Sequence, residues 1–344
     1  MVNLKKIGVA AAMMLTAVGA MASNFRAADQ VYVPIAGHAA GSSGTFISDV
    51  FISNLTDERV TVSVILASGQ SPEQSGGNVG KQFPNLFTLA ARERRELVDF
   101  VAAAPPNGLG QTGNILGQLI FNGCLEGKDC GAATQDAQGV SPWFRNISVE
   151  SRIYSIPAGT SLANNPPTQG QDFPGFPWYT FVSSDQAANG LDKVFITGLR
   201  NTALYRGNVG LVNASQYSST QLVVKLFNGP TGQQLGSDFV QDLGPLGQVQ
   251  PSLGNMFPGF TGATATNAYI TVEQRNSSPT GNAPASCLPN GCPGFFAYAS
   301  VLDNQSGDAT TLEPQYLKAM PDAALAALYP SGSGKSSVRR AAGH

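Results

Sequence analysis

Short runs of alternating apolar and polar residues fill most of this 344-residue chain. Alternation with a period of two is the mark of strands with one buried face. In Val60-Thr-Val-Ser-Val-Ile-Leu66, the side chains of Val62, Val64 and Leu66 point one way and those of Thr61, Ser63 and Ile65 the other. Ile65 makes the second face partly apolar, as expected where sheets pack together. Helical periodicity is nearly absent before residue 315. After it, Asp322-Ala-Ala-Leu-Ala-Ala-Leu-Tyr329 predicts a short helix, and Ser331–His344 a flexible Gly/Ser tail.

The pattern occurs twice. Val31-Tyr-Val-Pro-Ile-Ala-Gly37-His38 and Ser48-Asp-Val-Phe-Ile-Ser-Asn54 are matched by Val194-Phe-Ile-Thr-Gly198 and Gly207-Asn-Val-Gly-Leu-Val-Asn213. In each block the second strand ends on Asn and a β-prone run follows, Val60–Leu66 or Thr220–Phe227. Next come Leu116–Phe121 or Ala268–Glu273, and last Ile147–Tyr154 or Phe295–Leu302. An internal repeat with about five or six short strands per copy predicts an all-β chain of two tandem β-sandwich modules with similar strand order. A closed barrel is the alternative, since strand patterns alone do not separate the two. The expected organisation is a leader at 1–22, module 1 at 28–156, a Pro/Gly/Asn/Gln-rich linker or long loop at 157–177, module 2 at 178–315, and helix plus tail at 316–344. Trp178–Val182 is a further strand that either module could take.

Two stretches carry a resemblance: the order apolar-Pro-apolar, Gly-His, Gly, Ser-Asp-Val, Asn near the start, and Ala-Tyr-Ala-Ser-Val-Leu-Asp-Asn-Gln-Ser-Gly-Asp-Ala-Thr at 297–310. Over roughly residues 30–315 the chain resembles tandem β-sandwich (Ig-like) modules of secreted bacterial proteins, a largely uncharacterised group. The resemblance implies fold and location and transfers no active site, because its motifs are turn and strand signatures. Two cysteine-closed insertions depart from it.

Met1-Val-Asn-Leu-Lys5-Lys6, the apolar run from Ile7 to about Val18, and Gly19-Ala-Met-Ala-Ser23 form the n-region, h-region and A-x-A site of a secretory signal peptide. Cleavage after Ala22 is expected. No later segment has 18 uninterrupted apolar residues, so no transmembrane helix is predicted. Only 12% of residues are charged and the net charge is −2, which gives no pull toward nucleic acid or anionic membrane. The four cysteines form two close pairs, Cys124 with Cys130 and Cys287 with Cys292. Each pair lies in the loop before its module's last strand, and turn residues fill the spacing. Two local disulfides are expected; one shared zinc is the alternative.

Catalytic chemistry is scarce. The histidines are His38 and the terminal His344, so a Ser-His-Asp or Cys-His arrangement would have to use His38, which is placed as a turn residue. Gly332-Ser-Gly334-Lys335-Ser336 echoes a phosphate-binding loop, but Tyr329 stands where the motif needs glycine. Asp303, Asn304 and Asp308 are a weak calcium candidate without the ordered ligand spacing, and a strand-ending turn accounts for them. Glu150 and Glu273 are strand carboxylates in different modules, and Arg92–Glu96 is a solvated charge run. Five Asn-x-Ser/Thr triplets, at Asn54, Asn146, Asn213, Asn276 and Asn304, suit an Asn/Ser-rich composition.

The aromatics Trp143, Phe144, Phe173, Phe176, Trp178 and Tyr179 lie in or beside loop-rich stretches. Of these, Trp143, Phe144, Phe176, Trp178 and Tyr179 are candidate ligand or partner contacts. Their plainer role is to close the interface between modules. No catalytic residue, metal or cofactor is assigned. The expected function is a secreted, non-catalytic structural or interaction protein of the cell surface or extracellular matrix, with protein partners (itself or others). A glycan-binding module is the alternative, and a hydrolase with an unrecognised carboxylate pair the third reading.

Overall fold

The computed structural model describes residues 27–316 except 42–43, 70–79, 129, 131–141, 161, 165–167, 183–192, 263–264 and 280–293. The signal peptide, the Asp322–Tyr329 helix, the tail and the Cys287–Cys292 pair lie outside the described residues.

The first module runs β1 (Gln30–Ala40), β2 (Gly44–Asn54), β3 (Val60–Gly69), β4 (Gly80–Leu89), β5 (Arg94–Leu97), β6 (Ile115–Leu125), β7 (Ile147–Pro157), β8 (Gln169–Pro174) and β9 (Phe176–Pro177). The second runs β10 (Lys193–Leu199), β11 (Tyr205–Asn213), β12 (Ser218–Asn228), β13 (Gln234–Leu243), β14 (Gln248–Val249), β15 (Ala268–Pro279), β16 (Phe295–Asp303), β17 (Ala309–Leu312) and β18 (Gln315–Tyr316). A single-turn helix, α1 (Leu253–Met256), is capped by the Ser252 hydroxyl, which accepts from Asn255 N.

Each module has two antiparallel layers, and the layers correspond strand for strand. Layer A is β4-β3-β6-β1-β9 in the first module and β13-β12-β15-β10-β18 in the second. Layer B is β5-β2-β7-β8 and β14-β11-β16-β17. The stretch expected as a linker, 157–177, therefore holds β8 and β9, which complete the two layers of module 1. Trp178–Thr180 forms a 3-10 turn, and Val182 bridges to Phe295 of β16, so that stretch is not a full strand among the described residues. In module 1 the end of β1 also pairs with β2 (His38 opposite Ile47), which joins the layers along one side; the described β10 and β11 are not paired in this way. The sandwich is thus closed in the manner of a barrel on one side of one module.

The correspondence reaches single residues. Along β3 and β4, Val62 pairs with Phe87 and Val64 with Phe83, leaving Pro84-Asn85-Leu86 opposite Ser63. Along β12 and β13, Val224 pairs with Phe239 and Leu226 with Leu235, leaving Gly236-Ser237-Asp238 opposite Lys225. Both modules carry the same bulge, and each bulge holds a residue with positive φ, Asn85 at 47° and Gly236 at 73°. The two strand-ending asparagines are equivalent as well. Asn54 donates to Glu58 O and Ala90 O and accepts from Thr56; Asn213 donates to Ser218 O and Gly244 O and accepts from Ser215 N. Each is 1% exposed and ties the turn after the second strand to the end of the fourth. The Asn-x-Ser/Thr triplets at these two positions are buried corners.

Each module has its own core. Val31, Val62, Val64, Val50, Ile52 and Phe121 fill the first, and Ile196, Leu222, Val224, Leu211, Ile270 and Phe295 the second. A third cluster lies between the modules. Layer A of module 1 presents Tyr32, Ile65 and Ile120 from its outer face, and layer B of module 2 presents Val212, Phe296 and Tyr298. Ile65, the apolar residue in the polar phase of β3, is 3% exposed because the second module covers that phase.

Candidate interaction surface

The aromatics chosen from sequence fall into separate places. Phe176 is 5% exposed and stacks on Phe296 with centroids 4.8 Å apart; Phe173 meets the Tyr298 edge at 5.4 Å. Phe181 stacks on the other side of Phe296 at 5.2 Å. Rings packed in this way are part of the interface core, so Phe176 closes the interface between modules and offers no face to a sugar. Trp178 is half-buried and donates from Nε1 to Asp29 at 2.7 Å. Trp143 is exposed near the Cys124–Cys130 disulfide, with the Lys128 ammonium 4.4 Å from its ring centre. Phe144 is half-buried and bridges to Cys124; Tyr179 lies in the 3-10 turn. The structure does not bring these residues onto one surface.

The remaining candidates find local partners. The Asp303 carboxylate accepts from the backbone N–H groups of Gln305 and Ser306, as in a strand-ending turn. Asn304 Oδ1 accepts from the Arg206 guanidinium at 2.6 Å. His38 Nδ1 lies 3.0 Å from Asp99 Oδ1, and Asp49 Oδ1 accepts from Asp99 N, which ties β1 to the segment after β5. Among the described residues no cluster of three or more His, Cys, Asp or Glu side chains forms a metal site. Glu150 and Glu273 lie on the outer faces at opposite ends of the two-module stack. Glu150 is paired with Arg94 at 3.8 Å and Glu273 with Lys225 at 2.8 Å. Burial raises the Glu150 carboxyl above its ordinary value, with Arg94 opposing.

The repeat locates a surface that the sequence reading missed. Superposing the pairing registers makes Gln30, Ile65 and Ile120 of module 1 equivalent to Phe195, Phe227 and Tyr269 of module 2. In module 1 this outer face of layer A lies against module 2. In module 2 the same face carries an aromatic strip that is only half-buried. Phe227 and Tyr269 are direct cross-strand partners, stacked at 4.9 Å, and Phe195 lies 6.5 Å from Tyr269. Beside the rings runs a row of charge: Glu273 accepts from Lys225 at 2.8 Å and lies 3.8 Å from Lys193. The hydrogen bond to Glu273 raises the Lys225 ammonium above the usual lysine value. Val240 on the edge strand is 42% exposed and extends the same row through its partner Val223. The signal was present in the sequence: Phe195, Phe227 and Tyr269 occupy the polar phase of strands whose other phase is Val, Ile and Leu.

The opposite end of the stack differs. The face of module 2 that docks carries Val212, Phe296, Tyr298 and Leu246, whereas its module 1 counterparts are Ser53, Ser148, Glu150 and Arg92. Leu246 and Arg92 correspond in backbone too, with φ of 53° and 59°. Arg94 covers the Phe51 ring at 5.6 Å and Arg152 the Tyr154 ring at 5.2 Å, so this end is charged. Charged replacements at the end of a repeat stack act as a cap.

No protein-family model matches the chain, and no curated protein matches it. Among solved structures, the chain has weak likeness to a cryo-EM structure of Broad Bean Stain Virus (9% identity, 88% of this chain and 94% of that chain, TM-score 0.19). A biofilm associated protein BSP domain is similar at 12% identity over 88% of this chain and 62% of that chain, with TM-score 0.16. Bacteroides uniformis beta-glucuronidase 2 is similar at 8% identity over 82% and 25%, with TM-score 0.14.

Proposed function

We propose that the protein is exported and works outside the cytoplasm as a non-catalytic interaction protein that holds a protein partner on the outer face of layer A in module 2. One observation carries this reading: the equivalent face of module 1 is already a protein-binding surface, occupied by module 2, while the face bearing Phe195, Phe227 and Tyr269 is open. A half-exposed aromatic patch rimmed by paired charges has the makeup of an interface centre. The leader at 1–22, the Cys124–Cys130 disulfide and the resemblance to modules of secreted bacterial proteins support export. No helix of the described residues is long and apolar enough to cross a membrane.

The partner is a different protein rather than a second copy docked head to tail. Such a copy would have to offer the layer B face of its module 1, where Ser148 and Glu150 replace the Phe296 and Tyr298 that make the internal contact. A glycan fits less well. Phe227 and Tyr269 are stacked on each other, with 9° between planes, so each gives one ring face to the other, whereas sugar stacking needs open ring faces.

The test is a photo-crosslinking residue placed at exposed Thr197, with Glu96 on the capped face as control, in cells that make the protein. A discrete protein adduct at 197, absent at 96 and lost in Phe227→Ala/Tyr269→Ala, is expected. An adduct with the mass of a second copy would favour self-assembly instead. Glycan-array binding abolished by Tyr269→Ala would favour the sugar reading.

A further inference from the structure

The twin bulges differ in one consequential residue. In module 1 the bulge Pro84-Asn85-Leu86 turns Leu86 onto the core, where it is half-buried. Its counterpart in module 2 is Asp238, which is exposed and accepts from Gln234 Nε2 at 2.8 Å. The apolar plug is missing. A cleft of about 440 Å³ lies there, lined by Leu226, Leu235, Phe239, Met256, Phe257 and Phe260. That volume falls within the range of about 300–1,000 Å³ usual for ligand clefts.

The backbone beside the cleft is open too. Among the described residues β13 is an edge strand, paired with β12 alone. An edge presents a row of backbone donors and acceptors that a further strand can pair with. The equivalent edge, β4, is guarded by Lys81 and by Pro84, which has no N–H to offer. β13 has neither lysine nor proline. Its ionisable side chains are Asp238 and Asp242, both exposed, so the open edge is acidic.

We infer that β13 accepts an extended, basic peptide segment of a partner protein. The segment would pair along Phe239–Leu243, place one large apolar side chain in the cleft where module 1 has Leu86, and set Lys or Arg against Asp238 and Asp242. This site is separate from the aromatic strip and stands without it.

A random heptapeptide display library panned on the full chain tests the inference, with Asp238→Leu as the counter-target. Asp238→Leu restores the module 1 plug and should leave the thermal midpoint unchanged or higher, so lost binding in it is not lost folding. Expected are sequences with one bulky apolar residue flanked by Lys or Arg at alternate positions, enriched at least tenfold on the wild-type chain over Asp238→Leu. N-methylation of the winning peptide's backbone should abolish its binding, and Phe227→Ala/Tyr269→Ala should retain it. Lack of enrichment, equal enrichment on Asp238→Leu, or binding that survives N-methylation would overturn the proposal. Enrichment only on a chain ending at Tyr316 would overturn it differently, by making the basic segment 317–344 the occupant.

Discussion

The two modules share nine corresponding strand positions, a bulge and an asparagine corner, yet their outer faces are treated in opposite ways. Module 1 buries the outer face of its layer A and charges that of its layer B. Module 2 buries layer B and leaves layer A open with aromatic rings. A strand has two phases, and the inner phase is constrained alike in both modules because it faces a core. The outer phase is free to diverge, and what it became records which face met a neighbour. Ile120 and Tyr269 occupy one position in the repeat, the first 0% exposed beneath module 2 and the second on the open surface.

The comparison can be broken most severely at Phe296. It is fully buried between Phe176 and Phe181, so Phe296→Ala should cost about 3–5 kcal/mol. Denaturant unfolding of the full chain measures this. Next, Ile120→Ala should cost about 2–4 kcal/mol while Tyr269→Ala, at the twin position, should cost less than about 1.5 kcal/mol. Equal losses would deny that one face is covered and the other open. Asn54→Ala and Asn213→Ala should each cost about 2 kcal/mol, since each leaves buried backbone groups without a partner. A loss in one module only would show that the corners are not equivalent.

The smallest effect sharpens a difference between corners. Glu93 accepts from Ala90 N, which lowers its carboxyl below the usual value, with help from Arg95. Its module 2 counterpart is Gly247, judged by the backbone bonds to Asn54 and Asn213. Because the folded value is depressed, the stabilisation is present above the unfolded value of 4.5 and is lost as pH falls through the folded one. Glu93→Gln should therefore cost about 1 kcal/mol at pH 7, after allowance for solvent screening, and little in acid. Urea midpoints at pH 7 and in acid, for wild type and variant, check the sign.

Much of the fold could be read from alternation. Val60–Leu66 and Thr220–Phe227 are recognisable as matching strands because burial on one face imposes a period of two. Asn54 and Asn213 are legible in the sequence as strand ends. The short strands β8 and β9 were hidden inside a Pro/Gly/Gln-rich stretch read as a linker. Phe173 and Phe176 are placed there by contacts with residues more than a hundred positions away, and local composition carries no trace of such contacts. The aromatic strip is a different case: Phe195, Phe227 and Tyr269 stand in the polar phase of their strands, and alternation alone does not say whether that phase meets a neighbour. Among the loop aromatics, interface closure is the plainer role, and Phe176 fills it; Tyr269, on a strand, is half-buried on the outer face of module 2.

The most direct measurement exchanges the docking face for its own capped twin. Phe296→Ser with Tyr298→Glu gives module 2 the residues of Ser148 and Glu150. Urea unfolding of this full-length variant, followed by hydrogen exchange on strands of both modules, reports whether they still unfold together. The predicted result is two separated transitions, with the amides of β3 and β6 in module 1 and those of β11 and β16 in module 2 exchanging at different rates. A single transition at the wild-type midpoint, with the two sets of amides exchanging together, would contradict the docking of layer A on layer B and the surface inferred from it.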